Sequence, residues 1–252
     1  MAKVFCVGFS KTGTTSFEYA MEILGYRVYH GHWQLKHNDY MMALWIHRDL
    51  EEIKRMSEYW DAFADAPWGG TDLYRDLHEW YPDAKFVLTL REPEAWYRSL
   101  ERMLTEFDPN LQTALDTFHA KERYGFTHFV RQRFGISQLA GNKERIIERY
   151  QAHYVEAEEY FIRNGASYVK LDCAKEDGWK VLCPFLGRDI PAVPYPHLNA
   201  APVVQPPAAQ PAVPAAPMVQ PQVTARPPRV QRVIRKLKRT LSKIMSLGSA
   251  KA

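Results

Sequence analysis

Cysteine is scarce in this sequence, and the three present, Cys6, Cys173 and Cys183, form no C-x-x-C pair. Neither a disulfide framework nor a cysteine-rich zinc site is indicated, so a reducing cytosol is the expected compartment. No apolar run approaches the roughly 20 residues of a membrane-spanning helix, and no signal-like segment precedes the apolar stretch that begins at Lys3. His30, His32, His37 and His47 lack the H-x-x-x-H spacing of a helical metal site and read as surface or hydrogen-bonded histidines. Acid is absent from residues 200–252, which carry nine Lys/Arg, leaving 24 basic residues against 29 acidic ones in residues 1–199. The formal charge of +4 thus averages an acidic body and a basic appendage, a pattern that argues against nucleic-acid binding by the whole protein.

What remains is ample for one α/β domain: 252 residues, 46% of them hydrophobic, with 14 tyrosines, 12 phenylalanines and 7 tryptophans. The stretch around which it is organised is KVFCVGFSKTGTTSFEYAMEIL, residues 3–24. Val4 to Val7 have no charged member, as expected of a strand buried on both faces of a parallel sheet. Gly8 ends the strand, a short loop follows, and Phe17, Ala20, Met21 and Leu24 recur at helical spacing before Gly25 at the C′ position. Gly8 and Gly13 have the spacing of the glycines in G-x-x-x-x-G-K-[ST], and Thr15 holds the final hydroxyl position. The lysine of that motif is missing, because Thr14 occupies its place and Lys11 lies inside the loop. Backbone N–H groups from Thr12 to Ser16 still open a helix, where unpaired donors and a positive dipole end favour an anion.

A second strand is expected within Tyr26–Tyr29, helices between Trp33 and Trp60 with Asp49 as an N-cap, and a strand edge in WDAFADAP, residues 60–67, that delivers Asp65 to its C-terminal end. A helix follows over Thr71–Tyr81, and Ala84–Leu90 is the clearest buried strand, ending in Arg91. A phosphate-transferring P-loop enzyme commonly holds Mg²⁺ with an aspartate at such a strand end. Here a cation stands in that place. Glu92 and Pro93 open the next helix, residues 94–164 are mostly helical, and Asn142 caps a helix in which Ile146, Ile147, Tyr150, Tyr154, Ala157 and Phe161 hold a 3.6-residue period, ended by Asn164-Gly165. His119, His128, Tyr124, Phe126 and Phe129 fit either an acceptor pocket or the core, and Ala166–Leu171 reads as a further strand.

Ser10-Lys11-Thr12-Gly13-Thr14-Thr15 resembles the 5′-phosphosulfate loop of the sulfotransferases that use 3′-phosphoadenosine 5′-phosphosulfate (PAPS), roughly P-K-[ST]-G-T-[ST], departing from it only at the proline. LTLREPEAWYRSL resembles the 3′-phosphate element R-x-P-x-x-x-x-x-S of the same family, with Arg91, Pro93 and Ser99 in register, and residues 178–199 are similar to the closing segment of bacterial members. The resemblance covers residues 1–199 and implies an α/β, P-loop NTPase-like fold with a parallel β-sheet flanked by helices. It implies sulfuryl transfer from PAPS to a hydroxyl or amine, without a metal. Lys11 would act on the leaving phosphate and the sulfuryl oxygens, Lys11, Thr12, Gly13, Thr14 and Thr15 would hold the 5′-phosphate, and Arg91 and Ser99 the 3′-phosphate. Where cytosolic sulfotransferases carry a catalytic histidine in T-H-x-P, this chain has Ala64-Asp65-Ala66-Pro67. Asp65 is therefore the expected general base, with a cap before Pro67 as its alternative role and Asp61 and His47 as the next candidates.

Residues 200–228 contain nine prolines and eight alanines and are expected to form a semi-extended linker reaching at most roughly 90 Å. In residues 229–252, Val230, Val233, Ile234, Leu237, Leu241, Ile244 and Met245 fall within an arc of about 120° on a helical wheel. Arg229, Arg232, Arg235, Lys236, Lys238, Arg239 and Lys243 occupy the remainder. Such a helix suits an anionic membrane surface, giving a cytoplasmic protein peripheral on the inner face of a membrane, with docking on a protein as the alternative. Two other functions fit less of the sequence: a P-loop kinase of a small metabolite, opposed by Thr14 and Arg91, and a non-catalytic nucleotide-binding module recruited to a membrane.

Overall fold

The structure, a computed structural model, describes residues 2–30, 35–121, 124–175 and 177–198. The linker and tail expected over 200–252, with His32, lie outside the described residues. Five strands, β1 (Val4–Cys6), β2 (Val28–Tyr29), β3 (Ala62–Phe63), β4 (Lys85–Thr89) and β5 (Ser167–Leu171), form one sheet in the order β2-β3-β1-β4-β5, every pair parallel. Nine helices are described: α1 (Thr14–Ile23), α2 (Leu35–Ile46), α3 (Leu50–Ser57), α4 (Tyr74–Trp80), α5 (Pro93–Leu104), α6 (Ala114–Ala120), α7 (Tyr124–Phe134), α8 (Lys143–Asn164) and α9 (Gly178–Leu186). The protein is thus α/β with helices flanking a parallel sheet.

Strand alternation explains the apolar runs. Val4 and Cys6 of β1, with Val87 of β4, join one core whose helical members include Phe17, Ala20 and Met21 of α1 and Trp179 and Leu182 of α9. Phe5 and Val7, with Phe86 and Leu88, join a larger core on the opposite face, where Phe129 of α7 and Ile146, Tyr150 and Phe161 of α8 are buried. A strand covered on both faces needs no polar side and reads as a continuous apolar run. At the β5 edge, Lys170 pairs with Glu158 at 2.7 Å, the kind of charge that discourages further strand addition.

Several boundaries are shorter than the sequence pattern. β3 is only two residues long, so Asp65 lies in the turn beyond the strand, with φ 60°. α4 begins at Tyr74 because Thr71 first forms a turn, its hydroxyl donating to the Pro67 carbonyl at 2.7 Å and accepting from Leu73 N–H at 3.1 Å. Asp49 caps α3 as expected, accepting from Glu52 N–H. Asn142 holds the N-cap position of α8 but makes no side-chain cap; its amide donates backward to the Gln138 and Ala140 carbonyls. The expected C-terminal signal holds, with Gly165 left-handed at φ 65°. Phe129 is a core residue.

Candidate functional site

Parallel strands leave their C-terminal ends together, and the three central ones, β3, β1 and β4, deliver three different groups to that edge. β1 leads into the loop 7–13. Val7 still pairs with the sheet, its N–H donating to the Val87 carbonyl at 2.9 Å. At Gly8 a Cβ would lie 2.2 Å from Thr89 Oγ1 and 2.5 Å from the Thr89 carbonyl, so the loop's close approach to β4 requires glycine.

A chain of hydroxyls holds the turn. Thr12 Oγ1 donates to the Phe9 carbonyl at 2.6 Å and lies 2.6 Å from Thr89 Oγ1, which in turn lies 3.3 Å from Cys6 Sγ. Each group has one proton and a carbonyl only accepts. The chain is therefore directed, Cys6 S–H to Thr89 O–H to Thr12 O–H to Phe9 C=O. Burial pushes the Cys6 thiol up to about 12, consistent with a protonated donor at its head.

Lys11 and Gly13 both take left-handed backbone, φ 74° and 97°. For Lys11 this conformation costs about 1–2 kcal/mol, offset by two bonds to the loop's carbonyls: Trp96 Nε1 donates to Ser10 O and an Arg91 guanidinium N–H to Lys11 O, each at 3.0 Å. Gly13, the N-cap of α1, has no side chain to cap it, and no acid lies in the first turn. The opening N–H groups of α1 are thus offered to an anion. Burial lowers the Lys11 ammonium below its ordinary value, while Asp65 opposes this by favouring the charged form.

The threonines do not all face a ligand. Thr12 is committed to the hydroxyl chain, and Thr14 Oγ1 donates to Asp65 Oδ1 at 2.8 Å. Whatever these two residues offer an anion is their backbone N–H. Asp65 is fixed from behind, its carbonyl accepting from Gly69 N–H at 2.8 Å. The Asp65 turn also presses on the loop: a Cβ on Gly69 would lie 2.2 Å from the Gly8 carbonyl oxygen.

Arg91 follows β4, with its side chain reaching the loop as described. Glu92 caps α5 by accepting from Glu94 and Ala95 N–H, and Pro93 occupies the first turn. Ser99 is on the buried side of that helix, 8% exposed. Lys11, Thr14, Asp65 and Arg91 are brought together, whereas Asp61 is not part of this group. It precedes β3, at the opposite edge of the sheet, paired through both oxygens with Arg27 at 2.7 and 2.8 Å. His47 is exposed just beyond α2.

Sequence reasoning missed the supports. Arg102, one turn beyond Ser99, is close enough to lower the Lys11 ammonium electrostatically. Trp96 stacks on Tyr150 at 4.0 Å. Tyr150 OH donates to the Arg91 carbonyl at 2.8 Å and accepts from its N–H at 3.2 Å, and Tyr154 OH donates to the Thr89 carbonyl at 2.9 Å and accepts from Phe9 N–H at 3.3 Å. The available signal was the placement of Tyr150, His153 and Tyr154 on one stretch of an apolar helix face. The closing segment returns to the first turn of α1, with Leu198 N–H donating to Ser16 Oγ at 3.0 Å, and is held to α9 by Trp179 Nε1 donating to the Val193 carbonyl at 2.8 Å.

Comparison with known proteins places the chain in a family. The protein named Ava biosynthesis cluster protein M, of Aspergillus versicolor, is 25% identical over 219 residues, spanning 78% of this chain and 80% of that protein. The pattern that defines the sulfotransferase domain is matched by residues 3–203, a span that contains the loop, the Asp65 turn, Arg91 and the closing segment, and by that match the chain belongs to the sulfotransferase domain family.

Proposed function

We propose that this sulfotransferase takes its sulfuryl group from PAPS and delivers it to a hydroxyl or amine acceptor, with Lys11 and Asp65 on opposite sides of the transfer. The observation that carries this reading is the convergence, from three neighbouring strand ends, of an uncapped helix start with Lys11, of Arg91 and of Asp65. The donor set fits the ligand. The α1 N–H groups and Lys11 suit a 5′-phosphosulfate, and Arg91 with Ser99 suits a 3′-phosphate, since one bond to Lys11 O uses one of five guanidinium N–H donors.

PAPS supplies an activated sulfuryl group whose departure leaves adenosine 3′,5′-bisphosphate. The Lys11 ammonium stabilises negative charge developing on the bridging oxygen as the S–O bond breaks. Asp65 takes the proton from the acceptor as the new bond to sulfur forms. Thr14 orients that carboxylate through Oδ1. A sulfuryl group carries less charge than a phosphoryl group, so a lysine, an arginine and backbone N–H groups suit its neutralisation.

The sequence of residues 229–247 supports a further part of this reading: the basic amphipathic helix rests on an anionic membrane surface, and the Pro/Ala-rich segment is a spacer. The acceptor is then membrane-associated. Among the described residues, no helix is long and apolar enough to cross a membrane.

Five outcomes are expected. Lys11→Ala lowers transfer of labelled sulfuryl from PAPS by roughly 10²- to 10³-fold without lowering the melting temperature, because a half-buried ammonium contributes little to the core; near-normal turnover would remove Lys11 from the chemistry. Adenosine 3′,5′-bisphosphate stabilises the protein in thermal melts without Mg²⁺, by about 2.7 kcal/mol at 100 times its Kd. Arg91→Ala weakens that ligand by about 1.5–3 kcal/mol and adenosine 5′-phosphate by less, the smaller loss reflecting release of the Lys11 carbonyl; equal losses contradict a 3′-phosphate role. Asp65→Asn, which keeps an oxygen for Thr14 but no basicity, lowers kcat by about 10²- to 10⁴-fold with bisphosphate affinity retained, and an unaltered kcat from pH 6 to 9 would transfer the role elsewhere. Finally, the chain co-sediments with anionic liposomes in a salt-sensitive manner and loses this when Leu237 and Leu241 become Asp; equal binding to neutral liposomes rejects the membrane reading.

A further inference from the structure

Buried His153 and partly buried Arg133 are titratable groups that the transfer chemistry does not use. His153 is 0% exposed on α8, and both of its ring nitrogens are engaged. Nε2 lies 2.8 Å from the Val7 carbonyl and Nδ1 lies 3.1 Å from an Arg133 guanidinium nitrogen. A carbonyl only accepts and a guanidinium only donates, so Nε2 carries the proton, Nδ1 accepts, and the ring is neutral. Burial, reinforced by Arg133, pushes the histidine down to about 3.

The contacts form a closed ring. Val7 O accepts from His153 and also from Gly70 N–H at 3.1 Å, while Gly70 O accepts from Arg133 Nε at 2.6 Å. Val7 leads into the phosphate-binding loop, and Gly70 belongs to the turn that carries Asp65. The two backbones are otherwise in direct contact at Gly8 and Gly69, where no Cβ fits. Phe9 seals the ring from the loop side, 5.0 Å from the His153 ring and 5.7 Å from the Arg133 guanidinium.

We propose that Arg133 and His153 are a positioning pair that holds the Lys11 loop against the Asp65 turn and thereby sets the distance between leaving group and acceptor. The pair governs the rate of transfer and not the affinity for the nucleotide, since the 3′-phosphate contacts come from β4 and α5 and the loop's inner hydroxyl chain does not pass through it. Even a partly buried guanidinium is costly to desolvate, and an apolar pair of similar volume would fill the same space. What the ring adds is two loops joined through three carbonyl and amide groups at one fixed separation. This proposal rests on the reading that Lys11 and Asp65 serve the two sides of the transfer.

The test uses the full chain with His153→Leu, His153→Gln and Arg133→Met, measuring kcat, affinity for adenosine 3′,5′-bisphosphate, and amide exchange at Gly70 and in residues 11–16. His153→Leu and Arg133→Met are expected to lower kcat by up to about 10²-fold, the loss that a displacement near 1 Å can produce. Both should speed exchange at Gly70 and leave bisphosphate affinity nearly unchanged. Glutamine offers an amide N–H donor and a C=O acceptor, so His153→Gln recovers most of the rate and protection lost in His153→Leu. A glutamine variant as slow as the leucine variant, or affinity that falls in step with kcat, overturns the proposal. If the unaltered chain transfers nothing from PAPS, the functional reading fails, and the exchange pattern still decides the pair: unchanged protection at Gly70 in both His153→Leu and Arg133→Met rejects it.

Discussion

The contact between Gly8 and Thr89 is the constraint on which the site depends. It brings the start of the loop 7–13 against the end of β4 with no room for a side chain, and it places Thr89 Oγ1 where it meets both Thr12 and Cys6. From there the directed run of protons ends on the Phe9 carbonyl and fixes the loop from inside. Because β4 also delivers Arg91, the same contact brings a guanidinium within 3.0 Å of the Lys11 carbonyl. One close approach of two strands therefore positions two of the three charged groups at the edge of the sheet.

The third, Asp65, belongs to a turn rather than a strand, and its position comes from packing on the first two. Gly69 is pressed on Gly8, and Thr14 ties the carboxylate to the first turn of α1. This arrangement couples opposite charges. Asp65 favours the charged form of Lys11 against the burial that disfavours it, so an anionic ligand at the loop and the carboxylate act on the lysine in the same sense. The left-handed Lys11 and Asp65 are conformations that local sequence does not favour, and each persists because carbonyls beside it are held, Lys11 O by Arg91 and Asp65 O by Gly69.

The residues proposed to meet the nucleotide are local in the sequence. Lys11 to Thr15 follow one strand, Arg91 ends another, and Ser99 sits on the helix that Pro93 opens, so short motifs that resemble those of sulfotransferases single them out. The strand pattern located all five strands for the same reason, and its errors at β3 and α4 arose where Asp65 and Thr71 take turns that periodicity does not register. Thr12 lies in the loop and Thr14 opens α1, but spacing does not reveal that their hydroxyls are directed at Thr89, Phe9 and Asp65.

The groups that sequence reasoning missed share a different property. Tyr150, Tyr154 and His153 act on Arg91, Phe9, Thr89 and Val7, partners 59 to 146 residues away. On α8 they are indistinguishable in pattern from core residues, because a tyrosine that buries its ring and spends its hydroxyl on a carbonyl obeys the same periodicity as a phenylalanine. Backbone groups near the ends of parallel strands lose their ladder partners where the strands diverge, and buried polar groups need replacements. A long helix crossing those ends, with ring hydroxyls and an imidazole on its buried face, supplies them. The rule that follows is physical rather than statistical: where an apolar helix face carries Tyr or His in place of Phe or Leu, their polar tips point to the backbone that a site has left unpaired.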